Sequence, residues 1–173
     1  MHEIHYFFTP ILDTLIDFDS NDWYLYPLVT LETAKKLRDQ SSYKKDIEHL
    51  NASYDRLHKI TLDLITVTLY GRKYGRQFVI EIQKELSSSN FLDYNNQVRQ
   101  DILHHLNITT ADFIIHRHFT KKYLRETLHE FHHRFSQSPA TLIYPKDCSE
   151  CLEIEAVSHS TLKNYLPSIE KIA

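Results

Sequence analysis

Residues 120–135, TKKYLRETLHEFHHRF, carry the most regular pattern in the sequence. Apolar residues recur there at three- and four-residue intervals, at Leu124, Leu128, Phe131 and Phe135. This spacing places them on one face of an α-helix, with charged residues on the opposite face. The segment therefore predicts an amphipathic helix that ends at the following SQSPA sequence. A separate element that begins at Thr109 or Thr110 precedes it.

Further helices are predicted on the N-terminal side of this segment. The first 26 residues predict a short helix that begins at Pro10, a residue favoured in a first helical turn. On the C-terminal side, the sequences ATLIYP and CLEIEAV predict two strands within residues 140–157. Three more helices are predicted between these ends: one capped by Thr30, one from Tyr43 to Leu64, and one that is capped by Asp93 or Asn95 and ends at Leu106.

Residues 64–83 fit two structures. The stretch 64–70, LITVTLY, is rich in β-branched residues. A connection that contains Gly71 and Gly75 follows, and residues 76–83 then alternate apolar with polar side chains. This pattern is typical of a β-hairpin. We interpret the segment as a hairpin and expect a helix-dominated α+β fold with a small β component. That component is the hairpin near 64–83, the C-terminal strands near 140–157, or both. The alternative is an all-α bundle, because Tyr70, Tyr74, Phe78, Ile82 and Leu86 also fit a helical stripe.

The composition indicates one globular domain over residues 1–173. The chain is 42% hydrophobic and 25% charged, which is typical of a folded domain of this size. No apolar run approaches the ~20 residues needed to span a bilayer, and the N-terminus lacks the pattern of a signal peptide. We therefore expect a cytoplasmic protein that does not associate with membranes.

Two glycines in 173 residues exclude nucleotide-binding folds built on glycine-rich phosphate loops. The formal net charge of -3 gives no global attraction to nucleic acid. No convincing catalytic set stands out either. The sequence therefore favours a protein that binds another macromolecule over an enzyme.

Four residues carry the pattern of a zinc site. His129 and His133 are one helical turn apart, and the two cysteines of the chain, Cys148 and Cys151, follow as a CxxC pair. Two histidines on a helix with two cysteines on a turn are the ligands of many structural zinc sites. The other interpretation is that the histidines lie on a solvated polar helix face, in which case no cofactor is expected.

The HEFHH sequence also resembles the HExxH motif of zinc peptidases. In that motif two histidines bind the metal and the glutamate between them, here Glu130, activates water. Arg134 departs from the pattern, since these enzymes usually keep this position uncharged, and no third ligand is evident. Glu130 is thus an alternative catalytic residue of a zinc-dependent hydrolase.

An acidic and aromatic segment near the N-terminus predicts a protein-binding surface. Aromatic rings supply rigid contact area, and carboxylates attract a basic partner. We expect a small inhibitor or immunity-type protein of bacterial type that occludes a basic partner protein. Its candidate contact residues are Asp17, Asp19, Asp22, Trp23, Tyr24 and Tyr26.

Two basic patches support a third hypothesis, a nucleic-acid-binding regulator, which the net charge disfavours. The first patch is the RKYGR turn, with Arg72, Lys73 and Arg76. The second lies on the helix quoted above and contains Lys121, Lys122 and Arg125. Side chains of this type contact phosphate groups.

Overall fold

The computed structural model describes residues 3–13, 23–87, 90–145 and 151–162, together with Asn164. Helices dominate this part of the chain and accompany a small sheet, so the expected helix-dominated α+β fold is confirmed. The helices are α1 (Leu31–Gln40), α2 (Ile47–Thr68), α3 (Arg72–Ser87), α4 (Asn96–His105) and α5 (Thr110–Arg134), with a 3₁₀ turn at Phe91–Asp93. The strands are β1 (Glu3–Phe8), β2 (Trp23–Pro27), β3 (Ala140–Tyr144) and β4 (Leu152–Glu155).

The four strands form one sheet in the order β2-β1-β3-β4. β1 pairs in parallel with β2 and antiparallel with β3, which in turn pairs antiparallel with β4. The two predicted C-terminal strands are confirmed as β3 and β4. Strands β1 and β2 were not predicted. The helix expected from Pro10 is a turn over Pro10–Asp13, and its remaining residues lie outside the described part of the chain.

The sheet has helices on both faces. On one face Tyr6 and Phe8 pack in a large apolar cluster with residues of α2, α3 and α4. On the other face Phe7 packs against Phe131 of α5 and Phe135 just after it, with ring centroids 6.0 and 5.8 Å apart. Alternate residues of β1 are thus buried in opposite directions, because successive side chains of a strand point to opposite faces.

The hairpin expected over 64–83 does not form, since this stretch is the end of α2, a turn and most of α3. The end of α2 is buried on two sides: Leu64 and Val67 pack in one apolar cluster, and Leu62 and Ile65 in another. Nearly every side chain there is therefore apolar or small. A helix buried all round has no polar face, so its sequence resembles that of a buried strand.

Helix α5 contributes side chains to the apolar clusters on both faces of the sheet. The elements predicted on either side of Thr120 are a single helix of 25 residues, with Thr109 as the expected cap. Phe113, near its start, packs in the cluster shared with α2, while Phe131, near its end, packs beneath the sheet. No helix in the described ranges is long and apolar enough to cross a membrane.

Helices α2 and α3 are in close contact at Gly75. A Cβ atom at this position would lie 2.3 Å from Thr68 Oγ1 and 3.2 Å from Thr68 Cβ. Thr68 is held in place because its hydroxyl donates to the Leu64 carbonyl oxygen at 2.9 Å. A larger residue at position 75 therefore pushes the two helices apart.

We expect Gly75→Ala to lower the free energy of unfolding by about 1–3 kcal/mol, the usual cost of overpacking, although alanine favours helices by roughly 1 kcal/mol. Urea denaturation measures this loss. Lys73→Ala, an exposed change on the same helix, should stay within about 0.5 kcal/mol. In a Thr68→Ala background the cost of Gly75→Ala should shrink, and an undiminished cost would contradict the proposed clash.

Candidate anion-binding cleft

The centre of the candidate site is a buried carboxylate, Asp63 of α2, whose side chain is fully inaccessible to solvent. The Tyr94 hydroxyl donates to Asp63 Oδ2 at 2.8 Å. Arg117 Nη1 lies 2.7 Å from Asp63 Oδ1, and Arg99 Nη1 lies 3.9 Å from Asp63 Oδ2. One carboxylate therefore holds two guanidinium groups, one from α4 and one from α5.

The two arginines lie between this carboxylate and solvent. Their side chains are 15% exposed at Arg99 and 26% exposed at Arg117. The Arg99 guanidinium also lies over the Phe113 ring, 5.2 Å from its centroid, which is within the range of a cation–π interaction. Arg117 is thus held by its ion pair with Asp63, and Arg99 by its contacts with Asp63 and the Phe113 ring, before any ligand arrives.

Both arginines line an open cleft of about 360 Å³ between α4 and α5. Lys121 and His118, one helical turn or less from Arg117, contribute further polar groups, and the remaining walls are apolar. We call this space the basic cleft. Its lining residues are Arg99, Phe113, Ile114, Arg117, His118 and Lys121.

The charge around the cleft is positive. Burial lowers the pKa of Lys59, and the nearby Arg99, Arg56 and Arg117 lower it further, while Asp63 opposes them. Burial also lowers the pKa of His58, and the charges of Arg117 and Lys121 add to this effect. The pKa values of both Lys59 and His58 are thus lowered in part by cations that line the cleft.

Burial acts in the same direction on the pKa values of Asp63 and Tyr94, but the contact between the two groups acts in opposite directions on them. Burial raises the pKa of Asp63, and this effect is opposed by Arg117, the Tyr94 hydroxyl and Arg99. The pKa of Tyr94 is raised well above its usual value, first by burial and then by the charge of Asp63. Tyr94 therefore keeps its proton and remains a hydrogen-bond donor to the carboxylate.

This arrangement is suited to binding an anion. Guanidinium groups present fixed forks of N–H donors that match phosphate and carboxylate oxygens. Arg99 Nε is buried and has no hydrogen-bond partner among the described residues. A buried donor left unpaired costs about 1–3 kcal/mol, so an oxygen that reaches it would recover part of that energy.

The structure places one predicted phosphate contact, Lys121, in the cleft. Lys122 and Arg125 are exposed on α5 outside its lining. The other basic patch lies elsewhere: Arg72 is at the start of α3, where its guanidinium is 4.4 Å from the Tyr24 ring centroid. Arg72 is therefore not among the residues that line the basic cleft.

The two predicted histidine ligands lie near the C-terminal end of α5. His129, Glu130 and His133 are exposed, and Cys151 Sγ is 3.9 Å from Nη1 of Arg134, the residue after His133. Within the described ranges no group of three or more His, Cys, Asp or Glu side chains is arranged to hold a metal ion. Cys148 lies outside those ranges, so the zinc site stays a prediction.

The predicted protein-binding surface is described only in part. Asp17, Asp19 and Asp22 lie outside the described residues. Trp23 is 6% exposed and packs edge-on against His159, with ring centroids 4.6 Å apart. Tyr24 and Tyr26 are half-buried, and both rings lie near His5, at 5.0 and 5.2 Å between centroids. Inhibition of a basic partner therefore also stays a prediction.

Sequence reasoning missed Asp63, Tyr94, Arg99 and Arg117. The sequence signal that could have revealed the site was a single charged residue in an otherwise apolar segment. An ionised side chain is rarely buried unless it is paired, so such a residue predicts a partner of opposite charge. Asp63 interrupts the sequence LDLITV in this way. Its partners lie on other helices far along the chain, and no spacing rule connects them.

No protein-family model and no curated protein matches this chain. The interpretation of the cleft therefore depends on its own geometry.

We expect Asp63→Asn to lower the free energy of unfolding by about 3–5 kcal/mol, because it leaves two guanidiniums without their counter-charge. Chemical denaturation followed by circular dichroism measures the loss. Asp101→Asn is the matched control, since Asp101 is an exposed carboxylate on α4 that accepts from Gln97 Nε2 at 2.9 Å. Equal losses in the two variants would show that Asp63 does not organise the cleft.

Proposed function

We propose that this protein binds nucleic acid and that the basic cleft holds its backbone phosphates. The single observation that supports this proposal is the convergence of Arg99, Arg117 and Lys121 on one open cleft. Two of these cations are held in place by Asp63. Cations fixed in advance lose little side-chain entropy on binding, so more of the electrostatic attraction appears as affinity.

The distribution of basic residues favours a polyanion over a single phosphate group. Lys121 and Arg125 are one helical turn apart, so the row of cations from Arg117 to Arg125 runs for ~12 Å along α5. Outside the cleft lining, Lys59 of α2 donates to Asn96 Oδ1 of α4 at 2.8 Å, one helical turn before Arg99. This span is long enough to contact more than one phosphate of a strand.

The net charge of the whole chain limits how strongly such a ligand is held. At -3, the protein as a whole repels a polyanion, so attraction comes from the cleft and its immediate surroundings. Binding should therefore depend on a few side chains and fall steeply with salt. A nucleic acid is negatively charged, whereas the acidic N-terminal segment predicts a positively charged partner protein.

Fluorescence anisotropy with a labelled single-stranded oligonucleotide at low salt tests this function. Lys121→Ala should raise the dissociation constant roughly two- to fivefold, since an exposed ion pair contributes up to about 1 kcal/mol. It should also reduce the slope of log K against log salt by about 0.7, the value for one phosphate contact to a single strand. Lys121 is exposed, so the fold should be unaffected.

Lys45→Ala is the matched control, because it removes the same charge from an exposed position just before α2. It should leave both the affinity and the salt dependence nearly unchanged. Absence of binding by the unmodified protein at low salt would contradict the proposed function, as would equal losses in the Lys121→Ala and Lys45→Ala proteins.

A further inference from the structure

Helix α5 exposes an apolar strip that does not belong to the basic cleft. Ile115 is 60% exposed and Phe119 is 68% exposed, and the two residues are one helical turn apart. Ile114, which is also exposed, lines the cleft. Large apolar side chains that adjoin one another on a surface mark interaction sites more often than isolated ones do.

Two opposite charges frame this strip. Asp112 lies before Ile115 and Lys122 lies after Phe119, and both are exposed. At ~100° per residue the four side chains fall within a sector of about 80°, and they extend over ~15 Å of the helix. One face of α5 therefore presents an acid, two apolar residues and a base in that order.

We propose that this face binds the same face of a second copy of the chain, with the two α5 helices antiparallel about a twofold axis. In that arrangement Ile115 of one copy lies opposite Phe119 of the other, and Asp112 lies opposite Lys122. Each contact occurs twice, as in any isologous interface. When two such faces meet antiparallel, each acid lies opposite a base and each apolar residue lies opposite an apolar residue. The face is therefore complementary to itself, which favours a second copy over an unrelated partner.

The charged residues that frame the strip are available for this contact. The Lys122 side chain is 78% exposed, and its Nζ atom is 3.7 Å from Glu126 Oε1 one turn along the helix. Asp112 Oδ2 accepts from the Thr109 hydroxyl at 2.5 Å and retains further acceptor capacity. Surface pairs of this kind add little affinity, but they fix the direction and register of two helices.

The pairing is independent of the proposed nucleic-acid site. Arg117 and Lys121 lie roughly 140–180° around α5 from the strip, on the opposite side of the helix. Association therefore leaves the basic cleft of each copy open.

Sedimentation equilibrium over a range of protein concentrations tests the proposal. We expect the unmodified chain to dimerise and Phe119→Ser to be monomeric. Lys122→Asp should raise the dissociation constant of the dimer at least about tenfold, because it places two carboxylates opposite each other. The double variant Asp112→Lys with Lys122→Asp should restore the dimer, since it exchanges the two charges.

Arg125→Asp is the matched control. It reverses an exposed charge on the same helix outside the strip, so the dimer should persist. An unmodified chain that stays monomeric up to its solubility limit would overturn the proposal. So would equal weakening by Arg125→Asp and Lys122→Asp, or a folded double variant that fails to associate.

A cross-linking experiment covers the case in which the double variant does not fold. In a background of Cys148→Ser and Cys151→Ser, chains with Asp112→Cys and chains with Lys122→Cys are mixed and oxidised. The antiparallel arrangement predicts a disulfide between the two kinds of chain. Cross-links mainly between identical chains would overturn it.

Discussion

A carboxylate buried among helices constrains the layout of this protein. An ionised group removed from water is costly unless it is paired, and Asp63 is paired with guanidiniums from two other helices. Helices α2, α4 and α5 must therefore keep their relative positions for the pairing to persist. The Tyr94 hydroxyl adds a third contact from the segment just before α4. The same contacts that compensate the buried charge also fix the walls of the basic cleft.

Helix α5 combines several roles because its surroundings change along its length. Its first half carries Phe113 in the helical layer, Arg117 beside Asp63 and the exposed pair Ile115 and Phe119. Its second half covers the sheet with Phe131 and Phe135. A single long helix can thus present a cleft on one side and an apolar strip on the other without a change in backbone conformation.

Some of this structure follows from sequence and some does not. The cap at Thr30, the C-terminal half of α5 and the strands β3 and β4 are predicted because each depends on local spacing or turn chemistry. The prediction of a hairpin over 64–83 is wrong because the end of α2 is buried on two sides, so its sequence shows no polar helix face. The cleft is lined by residues of α4 and α5 whose arginines pair with Asp63 of α2, and only the tertiary fold brings these residues together. Lys121 was found because it belongs to a local basic cluster, whereas Arg99 and Arg117 stand apart in the sequence.

The sheet also joins segments that are far apart in the chain. β1 begins at Glu3, and its antiparallel neighbour β3 ends at Tyr144, with Ile4 opposite Ile143. All five helices lie between these two strands in the chain, so the pairing forms only after they are synthesised. Until then Phe7 lacks its contacts with Phe131 and Phe135. Contacts between residues so distant in the chain slow folding and leave apolar surface open to aggregation. The central strand pair β1–β3 therefore closes late, and until then its apolar side chains favour aggregation.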